Sequence, residues 1–498
     1  MFRKIFTKKS TGDETDPSSP VSAAGLSAVF ADCYDFESRE LMLGGDKTKK
    51  VTLCFIDGLV SGSDIAEQVI RPLTSELRFS PETSLADSAE LMLGGLVYVY
   101  TAKKREKLGD AVSDLLNGFC AVIPDGEQTA VTFEVKSKEN RSVDAPKEEK
   151  VVKGAKDAFV EVLKVNTTLL RRKLRNRDLK IKELKLGEKT NTQAALIYMD
   201  GFTNKRIVDE AEKRLSAIKT EGVLTAAVIE ENIADNAKTP FPQIIMTERP
   251  DKFAMNILEG RVGIMVDGLP MGFLAPGTFS QFFKVPEDHA NHCIIASAMT
   301  LLRYLSLILS LLLPAFYVAV AMYHHEMIPI KMMQSIIDAK QSVPFPTAFE
   351  VLAMLVAFEL LQEAGLRLPN PIGETVSIIG ALIVGQSAVE AKVVSPVVVV
   401  VIALAGIAGY TMPSQDMSAA LRICRFALVI LAILMGLFGM AVGVSLLIYH
   451  LASLETFGVP YMSPFAGADG RHIARALLRY PMKKKRDAEP ELEPEEEK

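Results

Sequence analysis

Two acidic residues lie four positions apart in the most apolar part of this chain, in the stretch FELLQEAGLRLP at 358–369. On a helix, Glu359 and Glu363 point to the same side. Carboxylates inside a membrane segment usually face the interior of a helix bundle or an aqueous path. Three interpretations follow. The pair braces the bundle by binding Arg367 or Arg303, it lines a polar path, or it lies on a helix at the membrane surface.

The next apolar segment carries a second set of candidates. Small residues recur on one side of the helix predicted there, and such residues let neighbouring helices approach closely. This stripe is consistent with packing and with pore lining, and it comprises Gly380, Val384, Ser387, Ala388 and Ala391, with Gln386 and Glu390 as polar members. The candidates for a pore or gate are therefore Glu359, Glu363, Gly380, Val384, Gln386, Ala388 and Glu390.

Proline-containing breakers bracket the first acidic pair, at VPFP (343–346) and LRLPNPIG (366–373). Non-helical backbone at membrane depth is tolerated only inside protein or along a water-filled cavity. We therefore predict that 346–366 is a re-entrant segment or an interfacial helix that does not cross the membrane fully. Its predicted structural motif is Pro344, Pro346, Arg367 and Pro369.

The region around these candidates is predicted to cross a membrane. Residues 296–451 hold only 15 of the 117 charged side chains. Uncharged runs at 304–323 and 426–449 are long enough to span the hydrocarbon core. The segment 374–411 indicates two further helices joined by a tight turn at VEAKVVSP (389–396).

Both ends of the chain are predicted to lie on the same side of the membrane. The first half carries no secretory signal, and basic residues, including KKKR at 483–486, follow the last apolar run. The positive-inside rule places these residues on the cytoplasmic side. Two ends on one side require an even number of crossings, and four fit the pattern.

The first half is predicted to be built twice. VTLCFIDG (51–58) and AALIYMDG (194–201) each indicate a strand followed by an Asp-Gly turn and an amphipathic helix. A second Asp-Gly, at 125 and 267, lies between two apolar runs in each copy and predicts a hairpin. The landmarks are 68 residues apart in one copy and 67 in the other, which indicates a tandem duplication. The repeated hexapeptide ELMLGG (40–45, 90–95) does not fit this register, and we interpret it as coincidence.

The predicted fold class is therefore tandem-duplicated α/β subdomains followed by a polytopic transmembrane helix domain. The predicted organisation is a mostly disordered arm (1–45), a first α/β subdomain (46–137), a charged linker with basic helices (138–189), a second α/β subdomain (190–295), a transmembrane domain of about four to five segments (296–465), and a basic then acidic disordered tail (466–498).

The sequence indicates no enzyme, cofactor or metal site. The five cysteines form no CxxC pair and are predicted to be buried reduced thiols. His289 and His292 have ligand-like spacing without further ligands nearby. No phosphate-binding loop, nucleophile elbow or HExxH occurs, and turn chemistry explains the Asp-Gly carboxylates better than catalysis does. The basic face predicted along 155–186 is either solvated or binds anionic lipid. No aromatic clusters indicate nucleic-acid binding.

Several long motifs are similar to one family. EGRVGIMVDGLP (259–270), RYLSLILSLLLPAFYVAVAMYHHEMIP (303–329), the run from VPFP to VVSP (343–396) and FGVPYMSP (457–464) closely resemble the A subunits of GerA-type spore germination receptors. The resemblance covers about 46–465. Gln362 stands where members commonly carry Arg, and the absence of that Arg leaves Glu359 and Glu363 without a local basic partner. His289 stands where an aromatic residue is usual.

The resemblance implies a subunit of a nutrient receptor in the spore inner membrane. Such A subunits are expected to form an oligomeric, ligand-gated ion channel that releases monovalent cations. They are expected to act with a transporter-like B subunit, which binds the nutrient, and a lipoprotein C subunit. No catalytic residues come with the family. Two alternatives stay open, namely a paralogue like stage V sporulation protein AF that amplifies ion release, and a non-conducting membrane scaffold.

Overall fold

The computed structural model of the protein describes residues 15–75, 85–137, 146, 149, 151, 153–367, 385–466, 470–479 and 492. Its contacts divide the chain into two compact units. The first comprises Met1–Ala234, Ile244–Pro276 and Arg486–Lys498, and the second comprises Asp235–Gln243 and Gly277–Lys485.

The first unit contains two five-stranded antiparallel sheets with the same strand order. The strands of the first sheet are Phe36–Met42 (β1), Lys50–Ile56 (β2), Ala102–Arg105 (β3), Phe119–Pro124 (β4) and Ala130–Glu134 (β5). Those of the second are Leu179–Leu186 (β6), Thr192–Met199 (β7), Ile245–Thr247 (β8), Val262–Val266 (β9) and Gly272–Ala275 (β10). The orders are β1-β2-β4-β5-β3 and β6-β7-β9-β10-β8.

Equivalent hydrogen bonds recur in the two copies. Asp57 and Asp200 donate their backbone N–H to the carbonyls of Asp35 and Asp178, each at 2.7 Å. The second Asp-Gly landmarks, at 125 and 267, begin the β4–β5 and β9–β10 turns, where each glycine has a positive φ. The predicted duplication and both predicted hairpins are confirmed.

Eight helices of the described ranges pack around these sheets. They are Ala23–Val29 (α1), the consecutive turns Gly62–Asp64, Ile65–Ile70 and Arg71–Thr74 (α2), Leu85–Leu91 continued by Met92–Leu96 (α3), Leu108–Leu116 (α4), Leu163–Lys173 (α5), Lys205–Ser216 (α6), Ala226–Ile233 (α7) and Pro250–Leu258 (α8). The amphipathic helices predicted after the first Asp-Gly of each copy are α2 and α6. Successive side chains of a strand point to opposite faces of the first sheet, and both faces are buried. Leu53 packs towards α2, and Cys54 packs towards α4.

The predicted disordered arm at 1–45 is wrong for its described part, from residue 15 onward. Residues 23–29 form α1, whose N-cap Ser22 accepts a hydrogen bond from the N–H of Gly25. β1 then pairs along its whole length with β2. The physical reason is burial, because Leu26 and Phe30 belong to the core of the first subdomain.

The predicted helical run through 155–186 is also wrong at its C-terminal end. The helix α5 stops at Lys173, and Leu179–Leu186 is an edge strand of the second sheet. Alternation in LKIKELKL fits a strand as well as a helix over so short a run. Lys180 is buried and donates to the carbonyl of Val29 at 2.8 Å, so one basic residue of this stretch is not solvated.

The second unit is mostly helical. Its helices are Pro286–Ala290 (α9), Cys293–Tyr323 (α10), Ile330–Lys340 (α11), Thr347–Arg367 (α12), Pro396–Tyr410 (α13), Gln415–Ser453 (α14) and Gly470–Leu477 (α15). Residues 385–390 are helical as well. They are joined to α13 by a short turn in which Lys392 has a φ of +56°, as predicted for the VEAKVVSP segment.

The helix α14 reverses direction at Gly436. This residue has φ +61° and ψ −140°, which is not helical. A Cβ at Gly439 would lie 2.1 Å from the carbonyl oxygen of Leu431, and one at Gly443 would lie 2.5 Å from Leu428 Cδ2. Residues 8 and 15 positions apart on a straight helix are separated by about 12 and 22 Å. Residues 415–435 and 437–453 therefore form a helical hairpin, and the prediction of one continuous span at 426–449 is wrong.

The predicted disorder of 466–498 is wrong for the described residues beyond 466. Residues 470–477 form α15, and the Arg479 guanidinium donates to the His289 carbonyl at 2.7 Å. Leu492 is buried, and its carbonyl accepts from Asn204 Nδ2 at 3.3 Å. The KKKR sequence at 483–486 lies outside the described residues.

Candidate functional site

The candidate carboxylates lie on one continuous helix. α12 begins directly after Pro346, whose carbonyl accepts from the N–H groups of Phe349 and Glu350 at 2.9 and 3.1 Å. Its 21 residues make it about 31 Å long. The segment predicted to be re-entrant or interfacial is therefore one unbroken helix, and its incomplete crossing of the membrane stays a prediction. Pro369 and the side chain of Arg367 lie outside the description.

Glu359 is paired with a residue that is distant in sequence. Its Oε1 accepts from Arg422 Nη1 of α14 at 2.6 Å, and both side chains are partly buried. Arg303, one of the two predicted partners, instead binds Asp288 at 2.6 Å. Ion pairing of the acidic pair was one of three open interpretations, and at Glu359 the partner is Arg422 and not Arg303, because α12 packs this residue towards residues 415–435 of α14. Glu363 lies one turn further along α12 and is exposed.

A second arginine of α14 lies inside the helical unit. Arg425 is 6% exposed and donates from Nη2 to Ser310 Oγ of α10 at 2.9 Å. Gly409 of α13 leaves room for it, because a Cβ there would lie 3.3 Å from the same nitrogen. Arg422 and Arg425 were missed because they precede the uncharged run, and they connect α10, α12 and α14 by polar contacts.

The second candidate set is described only in part. Gln386 Nε2 donates to Glu390 Oε1 at 2.9 Å, and both side chains are exposed. Ala388 is partly buried near the end of the same helical turn. Gly380 and Val384 lie outside the described residues.

Sequence reasoning also passed over Glu350, the most buried acid of α12. It is 1% exposed, and its Oε2 accepts from the backbone N–H of Ser395 at 2.8 Å. Its Oε1 has no hydrogen-bond partner among the described residues, and Lys340 Nζ lies 3.9 Å away. Its position in an apolar segment could have identified Glu350 as a candidate, because ionisable residues within membrane segments usually have a functional role.

The Asp-Gly residues of the first unit make structural contacts. Asp267 Oδ1 accepts from the N–H of Leu163 at the start of α5, at 2.9 Å. Asp57 binds Lys164 at 2.7 Å. Burial raises the pKa of Cys54 to about 11 and that of Cys120 to about 12, so both thiols stay protonated at neutral pH.

No three-residue metal cluster of His, Cys, Asp or Glu occurs within the described residues. His292 Nδ1 accepts from the N–H of Ile294 at 3.4 Å and so caps the start of α10.

Two helices of the described ranges, α10 and α14, are long and apolar enough to cross a membrane. The first arm of α14 alone, 415–435, has 21 residues. Both helices expose large apolar side chains, among them Leu305, Ile308, Leu434, Phe438 and Leu446. Many large apolar side chains exposed on two long helices indicate contact with lipid or protein. These side chains fit a membrane location.

Comparisons with known proteins point to one family. The sequence profile described as "Bacillus/Clostridium GerA spore germination protein" matches residues 24–491. Spore germination protein KA of Bacillus subtilis is 38% identical over 446 residues, which cover 89% of this chain and 81% of that protein. The B. subtilis membrane protein YfkQ is 35% identical over 456 residues, covering 92% and 88% of the two chains.

Among solved structures, the N-terminal domain of the A subunit of the Bacillus megaterium spore germinant receptor GerK3 aligns with a TM-score of 0.43 at 27% identity. The alignment covers 53% of this chain and 98% of that one.

Proposed function

Because the chain belongs to the Bacillus/Clostridium GerA family of spore germination proteins, we propose that it is the A subunit of a nutrient germinant receptor. In this proposal it forms an oligomeric, ligand-gated ion channel in the spore inner membrane, and its opening releases monovalent cations and commits the spore to germinate. The family is one of spore germination proteins and not a known enzyme class, and we propose no catalytic activity.

The observation that carries the proposal is the family match over nearly the whole chain. The polar residues of the apolar helical unit add support. Glu359, Arg422 and Arg425 lie among apolar helices, where charged groups are costly and usually serve transport or switching.

The conducting role is proposed for the carboxylates on α12 and on the turn before α13. In a symmetric oligomer each acid is repeated around the axis, and rings of acidic side chains favour cations. Glu363 and Glu390 are the exposed acids of the candidate set, so they are the ones that such a path can use. Gly380, Val384 and Ala388 would then control its width, and Gln386 orients Glu390 through their hydrogen bond.

The proposed partners are further copies of this chain, a transporter-like B subunit that binds the nutrient, a lipoprotein C subunit, and membrane lipid. The first unit and the basic C-terminal segment are proposed to lie on the core side of the spore membrane, following the positive-inside rule.

Potassium release from spores tests the role of the carboxylates. Glu363→Gln and Glu390→Gln keep the side-chain shape and remove the charge, so we expect slower release with normal amounts of the protein in the membrane fraction. Glu231→Gln, on the exposed surface of α7, is the matched control and should release potassium normally.

Normal release from both Glu363→Gln and Glu390→Gln spores would reject the conducting role. Loss of either variant from the membrane would instead indicate that the acid braces the helices. The second candidate set adds a separate test, because Ala388→Leu or Gly380→Leu should obstruct a path without changing its charge.

A further inference from the structure

Glu350 is buried among helices, and only one of its two carboxylate oxygens accepts a hydrogen bond from the described residues. The side chain lies one turn into α12, and its Oε2 accepts the N–H of Ser395, directly before α13. A carboxylate at this position favours the start of α13, because helix N-termini carry partial positive charge. This bond explains why an acid is tolerated here, but it leaves Oε1 unexplained.

The Oε1 atom of Glu350 lies near the ammonium group of Lys340. No hydrogen-bond donor reaches this oxygen among the described residues, and burying a carboxylate oxygen without a partner is costly. The ammonium of Lys340 lies 3.9 Å away and donates a hydrogen bond to Thr347 Oγ1. Thr347 is itself buried, so an oxygen-lined position exists between the two side chains.

We propose that Glu350 and Thr347 form a binding site for a monovalent cation, and that the Lys340 ammonium occupies it in this structure. An ammonium group and a potassium ion carry the same charge and are similar in size. One carboxylate with neutral oxygens supplies a single negative charge, whereas Ca²⁺ sites gather several carboxylates and six to eight oxygens. The inference deepens the proposed cation-release function and rests on it only for its physiological role.

Lys340 is well suited to leave the site. It lies at the C-terminal end of α11, a helix of 11 residues in which none is buried. Its side chain is 37% exposed, while that of Glu350 is fully buried. The stem of a lysine is flexible and its head is a compact point charge. Movement of α11 therefore withdraws the ammonium and exposes Glu350 to a free cation, without any change in α12.

Thermal unfolding of the purified full-length protein in detergent tests the site with KCl as the probe and choline chloride at equal ionic strength as the reference. We expect Lys340→Met to show a saturable K⁺-specific rise in Tm, with an apparent K⁺ affinity at least tenfold tighter than that of the unsubstituted chain. Lys331→Met removes the same charge from the other end of α11 and should behave like the unsubstituted chain. Adding Glu350→Gln to Lys340→Met should abolish the K⁺ response, since the amide can still accept the Ser395 N–H but carries no charge.

Equal effects of K⁺ and choline on folded Lys340→Met would overturn the site, and so would an undiminished K⁺ response after Glu350→Gln. If that double variant does not fold, Thr347→Val in the Lys340→Met background replaces it. It should weaken the K⁺ response at least threefold, and an unchanged response refutes the proposal. The Tm shift measures K⁺ binding and not ion conduction. A chain that lacks this site and a chain that does not conduct ions therefore give different results.

Discussion

The reversal of α14 at Gly436 predicts that two residues far apart on an uninterrupted helix can be joined by a disulfide. On a straight helix, positions 428 and 443 are separated by about 22 Å. A disulfide requires Cα atoms within about 7 Å. In the hairpin a Cβ at Gly443 lies 2.5 Å from Leu428 Cδ2, so the two backbones are close and shortening Leu428 makes room for the bond.

The perturbation is Leu428→Cys with Gly443→Cys, in a chain where Cys424 is replaced by Ala to prevent mispairing. We expect mild oxidation to join the two new cysteines within one chain, so that a protease cut placed in the loop around Gly436 leaves both arms connected on a non-reducing gel. Leu428→Cys with Ser445→Cys is the matched control, because Ser445 is exposed and two residues away from the contact. It should oxidise much more slowly.

Failure of the first pair to form, with the protein folded and in the membrane, would refute the hairpin. Gly436→Ala gives an independent check, because an L-residue at φ +61° and ψ −140° costs about 1–3 kcal/mol. A Cβ there would also lie 3.0 Å from the His324 ring. We expect this variant to reduce the rate of disulfide formation, whereas an uninterrupted helix would tolerate alanine well.

Three further predictions concern the first unit. Arg171, 1% exposed, binds both oxygens of Asp35 at 2.8 and 2.9 Å. Arg171→Met should therefore lower the free energy of unfolding by about 3–5 kcal/mol in a urea titration, and unchanged stability would contradict this. Burial keeps Cys54 and Cys120 protonated, so they should react with iodoacetamide at pH 8 only after unfolding, and rapid labelling of the folded chain would argue otherwise. Burial raises the pKa of Asp178 above its unfolded value of about 3.9, so its contribution to stability is present below that pH and is lost as pH rises through the folded pKa. Asp178→Asn should flatten this decline, and an identical pH profile would reject the assignment.

The duplicated fold was predictable because its signals are local. A strand followed by Asp-Gly identifies a strand and its end, and two such landmarks at matched spacing indicate that two copies of one unit follow each other. β1 and β6 gave no such signal. β1 precedes the first landmark, and β6 follows a helix whose periodicity continues smoothly into it.

The hexapeptide ELMLGG shows the limit of local sequence in the same domain. At 40–45 it completes β1 and a short turn, while at 90–94 it lies in α3 and Gly95, with φ +99°, is no longer helical. Its conformation is decided by what it packs against, since β2 pairs with the first copy. Treating the repeat as coincidence was correct.

The polar contacts of the helical unit depended on tertiary structure. Arg422 lies 63 residues beyond Glu359, a distance that no i, i+4 argument reaches. The reversal at Gly436 was hidden because glycine also suits close helix packing, so GLFGMAVG (436–443) fitted an uninterrupted span equally well. Glu350 could be recognised in the sequence as an acid in an apolar run. Its hydrogen bond through a single carboxylate oxygen could not, because the donor, the N–H of Ser395, lies 45 residues further on, directly before α13.

Current through the protein itself tests the central claim most directly. The full-length chain would be reconstituted with the proposed transporter-like and lipoprotein partners in a planar bilayer under a tenfold KCl gradient, with rich growth medium as the nutrient source. The account predicts nutrient-dependent unitary currents that reverse near the potassium potential, about 59 mV from zero, with a smaller shift in Glu363→Gln. Currents that reverse at the chloride potential, or a nutrient-responsive complex that passes no current, would contradict it.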